Sequence, residues 1–303
     1  MRVVTRSEPG DPEGTNQDRA GYSGCLAWVI DGATNLDEVA VTPGDDDAAW
    51  LAEATHKFLM TQPIDEHESF DTYFARLSVA LKAQYMGFIR EAAKEPKIFP
   101  SAGLAAVRWQ GSMVDYFILG DCSVTVVDPE ASTSKTVQEE TLHGLDAVAL
   151  HELVDLRRQG FSFDQAKSRL KPTLRRHRQL MNVDSGYWVF GFDPQAVSHA
   201  LQGRLEVTSD TVVLLASDGF SRLWDTLDVF GSGWEVYQAI RANGVDAVMR
   251  RLRTTENQDP EADRWPRFKK CDDASVAMIS FVRAKPGSLT EPLRGKAHVP
   301  HVR

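Results

Sequence analysis

The sequence predicts an α+β fold in which mostly antiparallel sheets form a sandwich flanked by helices. Two observations lead to this prediction. The strand-like segments 104–109 and 113–119 are separated only by Gln110, Gly111 and Ser112, a spacing typical of a tight hairpin and so of antiparallel pairing. The early helix-like segments lie between groups of strand-like segments, which disfavours a doubly wound parallel sheet.

The individual elements follow from hydrophobic patterning. Strand-like segments are short runs rich in Val, Ile, Leu and aromatic residues, bounded by Gly or Asp: 26–30, 104–109, 113–119, 123–128, 211–216 and 275–282. Helix-like segments are 46–61, 69–94, 145–159, 163–170, 234–242 and 245–254. In the second helix, apolar residues recur every three or four positions and predict a stripe that faces the core: Phe70, Phe74, Leu77, Leu81, Tyr85 and Phe88.

The chain length fits one large domain or two small ones, at 303 residues. We expect one domain over residues 1–282, in which residues 128–209 form a long insert. Residues 283–303 are rich in Pro, Gly, Lys and Arg and show no hydrophobic period. Such a composition is typical of a flexible tail.

The composition is that of an ordinary globular protein, with 42% hydrophobic and 25% charged residues. No apolar run has the length needed to cross a bilayer, and the N-terminus lacks the apolar core of a secretory signal, so we expect a cytoplasmic protein. The formal net charge of −9 argues against binding to nucleic acid or to an anionic membrane. Three widely spaced cysteines predict neither a disulfide framework nor a zinc site.

One basic segment, residues 167–178, contrasts with this acidic composition. Its basic residues are Lys167, Arg169, Lys171, Arg175, Arg176, His177 and Arg178. Such a run either binds an anionic partner or forms a solvated helix face. The solvated face is the more ordinary interpretation, and we favour it.

Acidic residues recur at the ends of strand-like runs or in tight turns. They are Asp18, Asp31, Asp121, Asp218 and the pair Asp272–Asp273. A strand end holds a carboxylate on a rigid backbone, and a following glycine, as at Gly32 and Gly219, lets a ligand approach the main chain. Mg²⁺ and Mn²⁺ prefer such oxygen ligands, and converging carboxylates are costly without cations.

These residues belong to five motifs in a fixed order. They are Asn16-Gln17-Asp18, residues 29–34 (VIDGAT), residues 119–123 (LGDCS), residues 214–219 (LLASDG) and residues 272–276 (DDASV). In this order they resemble the signature motifs of PPM-type (type 2C, metal-dependent) serine/threonine protein phosphatases, and bacterial members most closely. The resemblance spans residues 5–282 and implies a four-layer α-β-β-α sandwich with two mostly antiparallel central sheets.

The resemblance also implies site roles and a cofactor of two or three divalent metal ions, Mn or Mg. Asp31 would bridge two metals, one of them completed by the Gly32 carbonyl. Asp218 and Asp272 would hold the other, Asp18 would orient a metal-bound water, and Asp121 would help to bind a third metal. The implied reaction is direct in-line hydrolysis by a metal-bridging water, without a phosphoenzyme. We expect a monomer.

The sequence departs from the family pattern at two places. Glu13 stands where family members carry an arginine that clamps the substrate phosphate, and a carboxylate there would repel phosphate. Arg6 and Arg19 are the nearby alternatives, and Arg6 is the better candidate because it precedes the loop. Ala33 stands where many eukaryotic members carry a histidine, which bacterial members commonly lack.

The insert contains further candidates whose ordinary interpretation is structural. We interpret His143, His151 and His177 as surface or hydrogen-bonded helix residues. Tyr187 and Trp188 either line a substrate pocket or belong to a packed strand, and the packed strand is the more ordinary interpretation of an aromatic pair.

Three functions remain open at this stage. The leading hypothesis is a phosphatase that acts on phosphoserine or phosphothreonine in proteins. The second keeps the metal centre but gives it a small phosphorylated substrate, with the basic segment and Trp188 shaping a closed pocket. The third is a non-catalytic, phosphatase-like binding or regulatory module. The acidic residue at every matched metal position favours catalysis.

Overall fold

The computed structural model describes residues 1–34, 36, 40–44, 46–92 and 99–281, and within them it contains ten β-strands and seven α-helices. The strands are β1 (Arg2–Glu8), β2 (Asp18–Ser23), β3 (Leu26–Gly32), β4 (Ala102–Gln110), β5 (Met113–Leu119), β6 (Ser123–Asp128), β7 (Thr133–Val137), β8 (Leu201–Glu206), β9 (Val212–Ala216) and β10 (Ala274–Ser280). The helices are α1 (Asp47–Thr61), α2 (Phe70–Ala92), α3 (Glu140–Arg158), α4 (Phe163–Arg178), α5 (Asp218–Asp225), α6 (Gly233–Asn243) and α7 (Val245–Asn257). The predicted tail, 283–303, lies outside the described residues.

The strands form two five-stranded sheets. One has the order β1-β10-β9-β6-β7 and the other β2-β3-β4-β5-β8, and every neighbouring pair is antiparallel. The predicted hairpin is present, with Gln110 at the end of β4 paired with Met113 at the start of β5. The predicted α+β class with two antiparallel sheets is therefore confirmed.

Alternation along the central strands produces four layers. Trp28 and Ile30 of β3 point to one side of their sheet and pack in a core with α1 and α2. Val29, between them, points to the other side, into a core shared with Val213 and Leu215 of β9 in the second sheet. On the far side of that second sheet lies a third core, which contains residues of α5, α6 and α7. The order of layers is thus α-β-β-α.

The predicted apolar stripe of α2 is confirmed. All of its members are buried except Phe88, which is partly buried. Phe74 stacks on Phe117 of β5, with 4.3 Å between the ring centroids, and this contact joins the helix to the middle of its sheet.

Several elements were not predicted. These are β1, β2, β7, β8 and α5. The sequence of β2 contains Asp, Arg, Gly and Ser and shows little strand propensity; it is a strand because it pairs with β3 along its whole length. Helix α5 begins at Asp218 itself, where Asp-Gly alone indicates only a turn.

The α3–α4 hairpin, residues 140–178, forms a small unit with its own core. Ser162 and Gln165 form a capping box that starts α4. The core consists of Ala149, Leu153, Phe163, Ala166 and Leu170, and it also includes Ala262. The hairpin is therefore packed against the segment that connects α7 to β10.

That segment, residues 258–273, is ordered by one buried arginine. Arg267 is only 3% exposed and forms an ion pair with Asp259, with 2.8 Å between Nη1 and Oδ2. It also donates to the carbonyl oxygens of Glu256, Asp259, Trp265 and Lys270. Such a network holds a segment without regular secondary structure in one conformation.

No helix in the described part of the chain combines the length and the apolar character that spanning a bilayer requires. The three cysteines are free thiols. Cys122 is buried, and Cys25 and Cys271 are partly exposed.

We predict that Phe117→Ala lowers the free energy of unfolding by about 3–5 kcal/mol, because it leaves a cavity between α2 and its sheet. The matched control is Val79→Ala on the solvent side of α2, where the side chain is 56% exposed and the expected change is within about 0.5 kcal/mol. Urea denaturation measures both. A loss below about 1 kcal/mol for Phe117→Ala would contradict the packing described here.

Candidate active site

Strand pairing in one sheet brings the first two carboxylates of the site together. Asp18 on β2 lies directly opposite Asp31 on β3, and residues opposite each other in an antiparallel pair point to the same face. Asp31 continues the alternation of Ala27 and Val29, so this face is the one between the two sheets. Both carboxylates therefore lie at one end of the sandwich, between its sheets.

Asp121, after β5, reaches the same place. A Cβ atom added to Gly103 of β4 would lie 2.6 Å from Asp121 Oδ1 and 3.5 Å from Asp31 Cβ. The missing side chain at Gly103 therefore leaves the space in which the two carboxylates approach each other.

The second sheet contributes Asp218 and Asp272. β9 ends next to Ser217, which donates its N–H to the Ser275 carbonyl (3.0 Å) and accepts the Ser275 N–H at its Oγ (2.9 Å). These bonds fix the start of α5 beside the start of β10. Gly219 lets the two segments touch, because any Cβ there would overlap the Asp273 carbonyl.

Four of these five carboxylates line one cavity of about 240 Å³, here called the site cavity. Its sheet-end side includes Asp31, Gly32, Asp121, Asp218 and Asp272. Asp18 is not among the described lining residues; it is buried, 1% exposed, and pairs with Asp31 in register. The α3–α4 hairpin contributes Leu142, Asp146, Lys167, Leu174, His177 and Arg178, and the segment before β10 contributes Phe268 and Lys269.

Crowding and burial shift the acidity of these groups. Burial raises the pKa of Asp18 and of Asp31 well above the ordinary value, and neighbouring aspartates raise both further. Burial, followed by the charge of Asp218, raises the pKa of Asp121 to about 6, and burial with Asp121 raises that of Asp146 to about 7. The negative charges are therefore under-compensated by the protein itself.

Two buried carboxylate oxygens show where the protein leaves negative charge without a hydrogen-bond donor. Within the described part of the chain, Asp18 Oδ2 and Asp31 Oδ2 are buried and have no hydrogen-bond donor. A buried carboxylate oxygen without a partner is costly, and a bound cation removes that cost.

Asp272 differs because the protein already neutralises it. Its Oδ1 lies 2.6 Å from Lys269 Nζ, and its Oδ2 lies 2.9 Å from Arg222 Nη2. Burial alone would raise the pKa of Asp272, but Lys269 and Arg222 outweigh it and hold the pKa below the ordinary value. Arg222 is in turn paired with buried Glu256.

The donor set fits hard divalent cations such as Mn²⁺ and Mg²⁺, which bind carboxylate and carbonyl oxygens. Ligand atoms of Asp31, Asp121 and Cys122 lie within 4.8 Å of one another. Burial raises the pKa of the Cys122 thiol well above its usual value, so the oxygens are the better donors of this group. A metal at Asp272 would compete with Lys269 and Arg222 for its carboxylate oxygens.

Asp273 has a separate task. Its Oδ1 accepts the Gly10 N–H (2.8 Å) and its Oδ2 accepts the Gln17 N–H (2.7 Å). It thereby orders the loop that leads into Asp18.

The structure does not bring the predicted phosphate-binding arginine to the cavity. Arg6 donates to Glu8 and lies 3.1 Å from Asp246 of α7, and it is not among the described lining residues. Arg19 is engaged by Glu53 at 2.7 Å, and Glu13 is exposed. Ala33 does line the cavity.

Of the aromatic pair in the insert, Tyr187 lines the site cavity and Trp188 is packed elsewhere. Tyr187 is buried and lines the site cavity, whereas Trp188 stacks on His199 with 3.6 Å between ring centroids and is not among the described lining residues. Of the insert histidines, His143 and His151 are exposed, and His177 lines the cavity with its pKa lowered by burial.

Four residues of the site were not identified from the sequence: Gly103, Asp146, Arg222 and Lys269. Lys269 carries a weak signal, since it lies three residues before Asp272. Asp146 carries none, because a single aspartate in a polar helix is ordinarily solvated.

We predict that the metal-free protein loses stability as the pH rises from about 5 to about 8. Asp121 and Asp146 have pKa values of about 6 and about 7 in the fold, above the ordinary value near 4, so the native state binds more protons than the unfolded chain. Urea denaturation in EDTA across this pH range measures the effect. The double variant Asp121→Asn/Asp146→Asn should show a shallower loss, and a stability that rises with pH would refute the prediction.

The sequence matches no protein-family model and no curated protein. Solved structures do match it. The Mycobacterium tuberculosis serine/threonine phosphatase PstP/Ppp is 14% identical, with a TM-score of 0.55 over 93% of this chain and 98% of that one. PppA, a regulatory component of type VI secretion in Pseudomonas aeruginosa, is 14% identical, with a TM-score of 0.53 over 92% and 96%.

A third structure, the catalytic domain of PstP in complex with two manganese ions, is 13% identical, with a TM-score of 0.51 over 91% of this chain and 96% of that one. These matches cover nearly the whole length of this chain and of each matched chain. The chain therefore has the fold of the PPM-type serine/threonine phosphatases.

Proposed function

We propose that this chain is a metal-dependent phosphomonoester hydrolase. The observation that carries the proposal is the convergence of Asp18, Asp31, Asp121, Asp218 and Asp272 at one end of the sandwich. These residues are far apart in sequence and come from both sheets, yet four of them line one cavity and the fifth pairs with Asp31. Such an arrangement is costly for stability unless it binds cations.

Asp31, the Gly32 carbonyl, Asp121 and Asp218 are the groups that would hold divalent metal ions, with Asp272 as a further ligand once it is released from Lys269. Bound metals would supply an activated water and stabilise charge on the phosphoryl oxygens. Asp18, whose Oδ2 has no partner in the described chain, is suited to orient that water and to accept its proton. Asp273 keeps the Asp18 loop in place.

The preferred substrate class is phosphoserine or phosphothreonine in proteins. The support is the fold, which is shared with structures described as serine/threonine phosphatases, one of them binding manganese. Use of Mg²⁺, a monomeric state and a cytoplasmic location stay predictions of the sequence.

A small phosphorylated substrate is the second candidate, favoured by one observation. The α3–α4 hairpin forms one side of the site cavity and is fixed by its own core, so the carboxylates have a wall beside them that a small substrate would contact. The kcat/KM ratio between phosphoserine peptides and small phosphomonoesters separates the candidates. A ratio well above one favours proteins, and a ratio well below one favours the small substrate.

We predict that p-nitrophenyl phosphate is hydrolysed with Mn²⁺ and not in EDTA, and that Asp218→Asn lowers kcat roughly a hundredfold or more, because metal ions contribute several kcal/mol to transition-state stabilisation. The matched control is Asp210→Asn, which makes the same change at an exposed loop position far from the lining residues and should retain activity.

The outcomes separate the hypotheses. Metal binding by calorimetry without turnover of p-nitrophenyl phosphate would favour a selective small-molecule enzyme, to be sought with a panel of phosphorylated metabolites. Absence of metal binding would overturn the proposal and support the non-catalytic binding module.

A further inference from the structure

The site cavity carries basic groups as well as carboxylates. Lys167 and Arg178 reach it from α4, and Lys269 reaches it from the segment before β10. The basic segment predicted as a solvated face thus places some of its charges at the cavity. A cavity with carboxylates from the sheet ends and cations from the hairpin is able to hold metal ions and an anion side by side.

Lys167 is the basic group of the cavity that lacks a partner. Its side chain is exposed and also lines the cavity, which places it at the mouth. Within the described residues it makes no hydrogen bond or ion pair, in contrast to Lys269, which pairs with Asp272 at 2.6 Å. An unpaired ammonium at the mouth of an acidic cavity is available to a ligand.

The two lysines face the same space. Lys167 and Lys269 both line the site cavity, one from α4 and the other from the segment before β10. Two ammonium groups that share one cavity repel each other, and an anion between them would remove that repulsion.

Packing fixes the backbone segments that carry Lys167 and Lys269. Phe163 and Ala166 of α4 share a core with Ala262, and Arg267 orders the segment that carries Lys269. At the C-terminal end of α4, Arg178 donates to the Thr34 carbonyl oxygen at 3.0 Å, and this bond ties α4 to the loop after Gly32. The two lysines therefore extend toward the cavity from backbone segments that are packed against each other.

We propose that Lys167 and Lys269 bind the phosphate group of the substrate. A phosphate monoester carries between one and two negative charges at neutral pH, which matches two ammonium groups. The clamp that family members have near the N-terminus is thus replaced here by the α3–α4 hairpin and the segment before β10, since Lys167 and Lys269 line the cavity and Arg6 does not. This inference rests on the proposed phosphatase function.

The test uses inorganic phosphate as the probe. We expect phosphate to bind the Mn²⁺-loaded wild type by calorimetry, and Lys167→Ala to weaken that binding about tenfold or more, because it removes one of two charged donors to the phosphate oxygens. KM for p-nitrophenyl phosphate should rise by a similar factor while Mn²⁺ affinity stays unchanged. Lys167→Arg keeps the charge and should retain most of the binding.

The matched control is Lys171→Ala, which removes a lysine one helical turn along α4 from an exposed position outside the cavity lining. It should bind phosphate like the wild type. Lys269→Gln should weaken phosphate binding as well, and circular dichroism shows whether it remains folded. Equal phosphate affinity in Lys167→Ala, Lys171→Ala and wild type would overturn the proposal, as would a wild type that binds no phosphate.

The two proposals fail in different ways. If phosphate binding depends on Lys167 but no phosphomonoester is hydrolysed, the clamp stands and the phosphatase function fails. If p-nitrophenyl phosphate is hydrolysed with the same KM in wild type and Lys167→Ala, the function stands and the clamp fails.

Discussion

Crowding of carboxylates between the ends of two sheets is the constraint on which this structure depends. Burial raises the pKa of Asp18 and Asp31, and their unpartnered oxygens lack any compensating donor in the described chain. An apolar or amide residue would be less costly than a carboxylate at the positions of Asp18 and Asp31, whose charges have no cation partner in the described chain. The fold tolerates the cost by surrounding the carboxylates with rigid elements: paired strands on one side, and the β9–α5 junction bonded to β10 on the other.

Close backbone approach is what allows the convergence. Gly103 leaves room between Asp31 and Asp121, and Gly219 lets the start of α5 touch the Asp273 backbone. Asp273 then bonds the loop before Asp18. The acidic motifs are therefore linked through short main-chain contacts, and a shift in one of these segments would move the carboxylates relative to one another.

Much of the fold and the acidic residues of the site could be predicted from the sequence, because they depend on local patterns. The β4–β5 hairpin, the apolar stripe of α2 and the aspartates at strand ends are each visible within a few residues. β2 and β8 were not visible, since their strand state comes from pairing rather than propensity. Gly103 and Arg222 owe their importance to neighbours distant in the chain, and the pairing of Arg6 with Asp246 likewise joins distant segments.

The position of the α3–α4 hairpin connects stability to chemistry. Acidic groups at the sheet ends attract cations from any source, and the protein supplies two of its own at Asp272. A divalent metal at Asp272 would compete with Lys269 for the carboxylate, and Arg267 fixes the backbone from which a released Lys269 would still reach the cavity that Lys167 lines. Metal binding and the recruitment of an anion would then be coupled through one side chain, because a metal at Asp272 would free the charge that an incoming phosphate needs.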